Sequence, residues 1–136
     1  MKGQCLCGSV AFEFEGPLSN IQICHCTRCK RATGGPFSAE VRVPTERFRW
    51  MRGENLISSF DAPILRDPPA FRKSFCVRCG SPVPDIFGEQ AIIATGLIED
   101  AFAAQPVEHI WFGKKANWLN FAMLDALPKH ASEPGL

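Results

Sequence analysis

The sequence contains no long apolar run and no excess of charge of one sign. None of its apolar stretches approaches the roughly 18 to 20 residues that a helix needs to cross a bilayer. The 15 Lys and Arg residues are nearly balanced by 14 Asp and Glu residues, which gives a net charge of +1. Such a balance argues against a nucleic-acid scaffold and against a protein of the membrane surface. We therefore expect neither a membrane nor a nucleic acid as the partner of this chain.

The first residues, MKGQCLCGSV, also lack the apolar core of a secretory signal peptide, so we expect a cytoplasmic protein. In a reducing compartment thiols stay free, and clustered cysteines then indicate metal binding or catalysis rather than disulfides. The count of seven cysteines gives weak support, because a pure disulfide framework would leave one thiol unpaired.

A long helical period is the third missing feature, and the chain shows short alternating runs in its place. In residues 9–15, SVAFEFE, the side chains of Val10, Phe12 and Phe14 fall on one face of a predicted strand. Runs of this kind with frequent Pro and Gly turn signals indicate an all-β domain. Further strands are predicted at residues 37–43, 47–52, 55–60, 71–76, 91–95 and 107–112.

The length of 136 residues, with 46% hydrophobic and 21% charged residues, suits one domain with one core. We place that domain at residues 1–128 and treat residues 129–136 as a C-terminal tail. A single helical turn after Thr27 is possible in this pattern. The stretch FAMLDAL, residues 121–127, predicts either a short helix or an extended tail.

Two of the three cysteine groups end in glycine, and this feature pairs them. Gly8 follows Cys7 in CLCG, and Gly80 follows Cys79 in CVRCG. A glycine after the last ligand lets the backbone turn back through positive φ. Closed zinc sites usually join two such thiolate pairs. The sequence therefore predicts one closed site, connecting the start of the chain to a distant hairpin, on Cys5, Cys7, Cys76 and Cys79.

The remaining cysteines, Cys24, Cys26 and Cys29, predict a second site that is open. On a strand, Cys24 and Cys26 share a face, and Cys29 can fold back through a turn. His25 then points the other way, which favours a packed role, although a closed site with His25 as fourth ligand is the alternative. Three protein ligands leave one position for exchange, and such a site is expected to lose its zinc more readily than a closed one.

Three thiolates make zinc a weak Lewis acid for water and a good docking point for a sulfur ligand. The neighbouring cations Arg28, Lys30 and Arg31 would offset the negative charge and attract an anionic substrate, unless they simply form a solvated turn. Two rival interpretations of the second group are weaker. A haem attachment site needs His where Lys30 stands, and a thioredoxin-like pair needs a βαβ context that the pattern lacks.

Four stretches resemble the glutathione-dependent formaldehyde-activating enzymes and their centromere protein V relatives, and they follow the order of that family: CLCGSVAFE, CHCTRCKRATGGPFS, FCVRCGSPV and HIWFGKKANWL. The resemblance implies two packed antiparallel sheets of short strands stapled by zinc, similar to the zinc-bearing Rab nucleotide-release factors. It also implies two zinc ions per chain, with a structural ion on Cys5, Cys7, Cys76 and Cys79 and a second ion on Cys24, Cys26 and Cys29.

The resemblance further implies carbon–sulfur lyase chemistry, in which formaldehyde and glutathione form S-hydroxymethylglutathione or the reverse. We expect a zinc-dependent enzyme that forms or breaks an adduct between a small thiol and an aldehyde. Members tied to glutathione carry a longer segment before the first CxC motif, whereas Cys5 comes almost at once in this sequence. We therefore expect the thiol to be either glutathione or a similar molecule. Glu108 and His109 in VEHIWF are candidate general bases.

The alternative function is a non-enzymatic zinc module that binds protein or nucleic acid, and a purely structural zinc protein is a third possibility. The binding module would use a basic aromatic face, formed by Arg42, Arg47, Phe48, Arg49, Trp50 and Arg52. Arginines that alternate along a strand also occur on an ordinary solvated face. Salt-dependent binding of nucleic acid would favour the module, and thiol-dependent turnover would favour the enzyme.

Overall fold

The structure is a computed structural model that describes residues 1–63 and 71–134. Short strands and two short helices account for most of the regular structure in these two ranges. The strands are β1 (Lys2–Gln4), β2 (Ala11–Phe14), β3 (Ile21–Cys24), β4 (Ser38–Pro44), β5 (Phe48–Arg52), β6 (Ile57–Ala62), β7 (Phe71–Cys76), β8 (Asp85–Phe87), β9 (Gln90–Ala94) and β10 (Pro106–Ile110). The helices are α1 (Thr27–Thr33) and α2 (Phe121–Ala126).

Within the described ranges the strands form three sheets. A three-stranded sheet has the order β1-β2-β5, a five-stranded sheet has the order β10-β3-β4-β9-β8, and β6 pairs with β7. The strand β10 runs parallel to β3, and the other pairs described are antiparallel. The prediction of an all-β fold of packed sheets is confirmed. It did not foresee the parallel pair or the separate two-stranded ribbon.

The core lies between the three-stranded and five-stranded sheets. Phe12 and Phe14 of β2 pack there against Val41 and Val43 of β4 and against Ile93 of β9. All five side chains are at most 1% exposed. Full burial of an apolar side chain of this size contributes about 1.5–3 kcal/mol, so the alternation along β2 supplies much of the stability of the sheet packing.

The alternation of β4 also determines what lies on the outer face of the five-stranded sheet. Because Val41 and Val43 point into the core, Glu40 and Arg42 point to the opposite face. That face forms the floor of a cavity beside the second cysteine group. One sheet therefore supports both the core and the candidate site.

The observed elements agree closely with the sequence pattern where alternation is long enough to be recognised. Each of the seven predicted strands occurs, with its ends shifted by two residues or fewer. The strands β1 and β8 were missed because three residues carry too little periodicity. The strand assumed at Cys24 and Cys26 is β3, which ends at Cys24, because Cys26 already caps the helix α1. The helix α1 is longer than the single turn expected, and the stretch at residues 121–127 is helical rather than extended.

None of the helices in the described ranges is long and apolar enough to cross a membrane. The placement of the domain boundary at residue 128 stays a prediction.

Candidate functional site

The first cysteine group is built on two tight turns, each closed by the expected glycine. Gly8 has φ 77° and Gly80 has φ 73°. The amide of Gly8 donates to the carbonyl of Cys5 at 3.0 Å, and the amide of Gly80 donates to the carbonyl of Cys76 at 2.8 Å. Positive φ is the conformation that glycine adopts without steric cost, so the glycine ending each motif has a local structural reason.

The two turns bring four thiols together, with all four sulfur atoms within 4.8 Å of one another. The Sγ atoms of Cys5 and Cys7 are 3.6 Å apart, and those of Cys7 and Cys76 are 3.9 Å apart. A tetrahedral zinc ion with Zn–S bonds of about 2.3 Å places its sulfurs about 3.8 Å apart. The spacing and the thiol donor set of Cys5, Cys7, Cys76 and Cys79 therefore suit one zinc ion.

Hydrogen-bond donors around this group favour the thiolate form at its exposed side. The backbone amide of Ser81, followed by that of Cys7, lowers the pKa of Cys79 to about 6. The hydroxyl and amide of Ser9 lower the pKa of Cys7. Burial raises the pKa of Cys5, since desolvation opposes its ionisation. A cation among the four sulfurs would offset that cost.

The second cysteine group lies where β3 ends and α1 begins. Cys24 is the last residue of β3, Cys26 caps the N-terminus of α1, and Cys29 lies buried in the first turns of that helix. The sulfur of Cys26 accepts a hydrogen bond from the amide of Cys29 at 3.3 Å. These local contacts hold the three sulfur atoms within 4.8 Å of one another, which suits a metal bound by three protein thiolates.

The three thiols of this group do not ionise alike. The neighbouring Cys29 thiol interacts with the sulfur of Cys24 and lowers the pKa of Cys24 to about 6. The same interaction, together with burial, raises the pKa of Cys29. Ser38 is the strand partner of Cys24, and its buried hydroxyl has no hydrogen-bond partner among the described residues. That hydroxyl lies near Cys29, whose pKa it lowers.

The histidine between the first two of these cysteines points away from their sulfurs. His25 is fully buried, and its Nε2 lies 2.9 Å from Nδ1 of His109. Its ring packs against Phe37 and Phe112, with ring centroids 5.7 Å and 5.3 Å away. The three-cysteine group described above does not include it. In this arrangement His25 is a packing residue that connects β3 to the edge strand β10.

The two candidate general bases on β10 are both engaged elsewhere. Glu108 accepts a hydrogen bond from Nε2 of Gln22 at 2.8 Å, and His109 pairs with His25. Neither residue lines the cavity beside the second cysteine group. The parallel register of β10 with β3 brings the next two residues of VEHIWF, Ile110 and Trp111, to the cavity.

A cavity of about 530 Å³ opens beside the second cysteine group, and Cys24, Cys26 and Cys29 line it. This volume falls within the usual range for small-molecule sites. Trp111 forms part of its wall with a backbone φ of 54°, the left-handed region that non-glycine residues rarely adopt. Strained positions of this kind cluster at functional sites.

Charged side chains of both signs surround the cavity. The cations are Arg28 of α1, Arg42 of β4 and Arg72 of β7, and the acids are Glu40 and Asp85. Of the three cations predicted beside the cysteines, Arg28 alone lines this cavity, while Lys30 donates to a backbone carbonyl at 2.7 Å and Arg31 is exposed.

Glu40, Asp85 and Arg72 were not expected at the site from the sequence, and Arg42 was expected on another surface. The orientation of Glu40 and Arg42 could have been predicted from the alternation of β4. The two residues alternate with the core residues Val41 and Val43 and so share the opposite face. Asp85 reaches the cavity because β9, the hairpin partner of β8, pairs with β4, a strand distant in sequence. Arg72 lies on the separate β6–β7 ribbon and reaches the cavity through tertiary packing.

The basic aromatic face considered for a binding module is not assembled as one surface. Phe48 and Trp50 are half-buried against the core, with their ring centroids 4.9 Å apart. Arg49 pairs with Glu13, and Arg42 lies on a different sheet. Packing of the two rings against the core therefore reduces the surface that they offer for stacking on bases.

Comparisons with known proteins agree with this description. A model of the family described as glutathione-dependent formaldehyde-activating enzyme matches residues 1–114. A crystal structure of a Rhodobacter sphaeroides protein is similar with a TM-score of 0.59 and 20% identity, covering 79% of this chain and 100% of that chain. At this identity the likeness shows a shared fold. No curated protein matches the sequence.

Proposed function

The chain belongs to the glutathione-dependent formaldehyde-activating enzyme family, and from this membership we propose that it is a zinc-dependent carbon–sulfur lyase. It forms or breaks an adduct between a small thiol, glutathione or a similar molecule, and an aldehyde such as formaldehyde. The observation that carries this proposal is the three-thiol group of Cys24, Cys26 and Cys29, which lines a cavity large enough for such a substrate.

Two zinc ions per chain are part of the proposal. The four-thiol group suits a closed structural ion, because its sulfur spacing matches a tetrahedral site. The three-thiol group suits an ion with one position left for exchange. Zinc bound there would supply a place at which the sulfur of a thiol is held in its deprotonated form.

The residues of the chain bind and orient the substrate. Nη1 of Arg28 is buried without a hydrogen-bond partner among the described residues, and Arg42 lies on the cavity floor. These guanidinium groups suit the carboxylates of an anionic thiol. The indole of Trp111 lines the wall. The main contribution of the protein to the rate is then to hold the sulfur close to the carbonyl carbon. Reactants held in the right geometry have a lower barrier even when the carbonyl group is not strongly polarised.

The direct test is the rate of exchange between free and adduct formaldehyde, measured by NMR exchange spectroscopy on zinc-loaded protein. The thiols tested are glutathione, cysteine and 2-mercaptoethanol. Adducts also form without an enzyme, so each rate is compared with the rate of the same mixture without protein. Wild-type protein is expected to accelerate exchange with at least one thiol. The variant Cys26→Ala is expected to give the uncatalysed rate. If zinc-loaded wild-type protein accelerates none of the pairs, the proposed function is wrong.

A further inference from the structure

Glu40 lies on the cavity floor at a position set by strand register. Its backbone partners are Gln22 on β3 and Ala94 on β9. Two residues earlier on the same face, Ser38 pairs with Cys24. Successive residues on one face of a strand are about 7 Å apart. Glu40 is therefore the next residue after Ser38, the partner of Cys24, on the same face of β4.

The groups facing Glu40 come from several elements. Asp85 of β8, Cys24 of β3 and Arg42 of β4 line the same cavity and act on the charge of Glu40, and Arg28 of α1 and Arg72 of β7 also line that cavity. Burial, followed by the charges of Asp85 and Cys24, raises the pKa of Glu40, and Arg42 and the Ser38 hydroxyl act in the opposite sense. In the described part of the chain Glu40 forms no ion pair.

The carboxyl of Asp85 in the cavity, and Glu108 and His109 nearby, have structural partners. Asp85 accepts a hydrogen bond from the amide of Ser74 at 2.8 Å, which anchors β8 to β7. Glu108 and His109 are engaged outside the cavity, as described above. Among the residues that the structure describes, Glu40 is therefore the acidic side chain that lines the cavity without a structural partner.

We propose that Glu40 is the general acid–base of the reaction and carries a proton between the sulfur of the thiol and the oxygen of the aldehyde. This inference rests on the proposed function. In this role the Glu40 carboxyl would contact the reacting atoms, so Glu40 would be a catalytic residue. The chain then supplies proton transfer as well as positioning.

The transfer balances without any further reactant. As the thiol enters, its S–H proton moves to the Glu40 carboxylate. A sulfur electron pair forms the C–S bond, the C=O π pair moves to oxygen, and that oxygen takes the proton back from Glu40. In the reverse direction Glu40 removes the hydroxyl proton and returns it to the departing sulfur. Positioned acid–base groups of this kind contribute about 10²–10⁴-fold to rates.

The first measurement is proton release on thiol binding, which does not depend on turnover. Glutathione is titrated calorimetrically into zinc-loaded protein in buffers of different ionisation enthalpy. The variant Glu40→Gln is expected to release about one more proton per bound thiol than wild type, because the proton acceptor is gone. The matched control Glu13→Gln changes a carboxyl on the opposite sheet, where Glu13 pairs with Arg49, and should behave as wild type.

The second measurement is turnover of the same variants. Glu40→Gln should keep two zinc ions and lose about 10²–10⁴-fold in kcat, while Glu40→Asp should keep part of the activity. Equal proton release and equal kcat in Glu40→Gln and wild type would overturn the role of Glu40 alone. Loss of zinc from Glu40→Gln would also overturn it, because Glu40 would then hold the metal site. If wild type itself binds no thiol, the proposed function fails together with this inference.

Discussion

Nε2 of His25 lies 2.9 Å from Nδ1 of His109, so the histidine within the CHC motif is tied to the edge strand β10. The ring belongs to an aromatic group with Phe37, Phe112 and Phe121. Because the ring is buried and hydrogen-bonded in this way, we expect it to stabilise the fold rather than to hold the metal.

Replacement of His25 should lower stability and leave the metal in place. His25→Ala removes a buried ring and a hydrogen bond, and we expect a loss of about 2–4 kcal/mol. His25→Asn should lose less, because it keeps a donor and an acceptor. Chemical denaturation and zinc analysis of the two variants provide the check. Retained stability with one zinc lost would reverse this assignment.

The two cysteine groups should respond differently to loss of one thiol. Cys76 is 0% exposed and packs with Val10 and Val83, so Cys76→Ser opens a closed site inside the core. The binding free energy of a structural metal contributes to the free energy of folding, so we expect this variant to be unfolded or severely destabilised. Cys26→Ala should stay folded with a modest fall in Tm. Calorimetry on both variants tests the difference, and similar melting of the two would mean that the cysteines are grouped wrongly.

The unpartnered hydroxyl of Ser38 predicts a hydrogen bond to the Cys29 sulfur when a metal is bound. Ser38→Ala should then weaken metal binding at the second site by about 10–100-fold, as loss of groups that orient ligands does. Competition with a chromophoric chelator measures this affinity. Ser58→Ala, on the exposed face of β6, is the control. Equal affinity in the two variants would exclude the hydrogen bond.

Glu40 should also limit stability at neutral pH. Its pKa is raised in the folded protein above the ordinary value of 4.5 by burial, so the fold favours the protonated carboxyl. The contribution of that preference is fully present below the unfolded pKa and is lost as pH rises through the folded pKa. Glu40→Gln should therefore be more stable than wild type at pH 8, with a smaller difference at pH 5. Thermal scans of the zinc-loaded proteins would contradict this if the difference is constant with pH.

The cysteine grouping could be predicted because its signals are local. A glycine after Cys7 and after Cys79 indicates a turn with positive φ, and the structure has that turn at both positions. The alternation of residues 9–15 likewise identifies a strand with one buried face. These features depend on neighbours in sequence, and the structure brings all seven cysteines into the two expected groups. Their role as zinc ligands stays a prediction.

The proton-transfer residue could not be predicted, because its position depends on the register between strands. Nothing in the local pattern around Glu40 shows that its strand pairs with β3 on one side and β9 on the other. The same holds for His109, which a parallel pairing with β3 brings to His25. Pairing of distant segments is set by the packing of the whole sheet, so sequence position alone suggested His109 and missed Glu40.

The central claim is that the group of Cys24, Cys26 and Cys29 holds a metal with one position open to the sulfur of a substrate. The most direct measurement is the absorption spectrum of protein with cobalt in this site, recorded while glutathione is added. The claim predicts that the thiolate charge-transfer and ligand-field bands change on addition, both in wild type and in His25→Ala. If the bands do not change with glutathione in wild type and change only in His25→Ala, the claim is contradicted, because His25 would then occupy the fourth position on the metal.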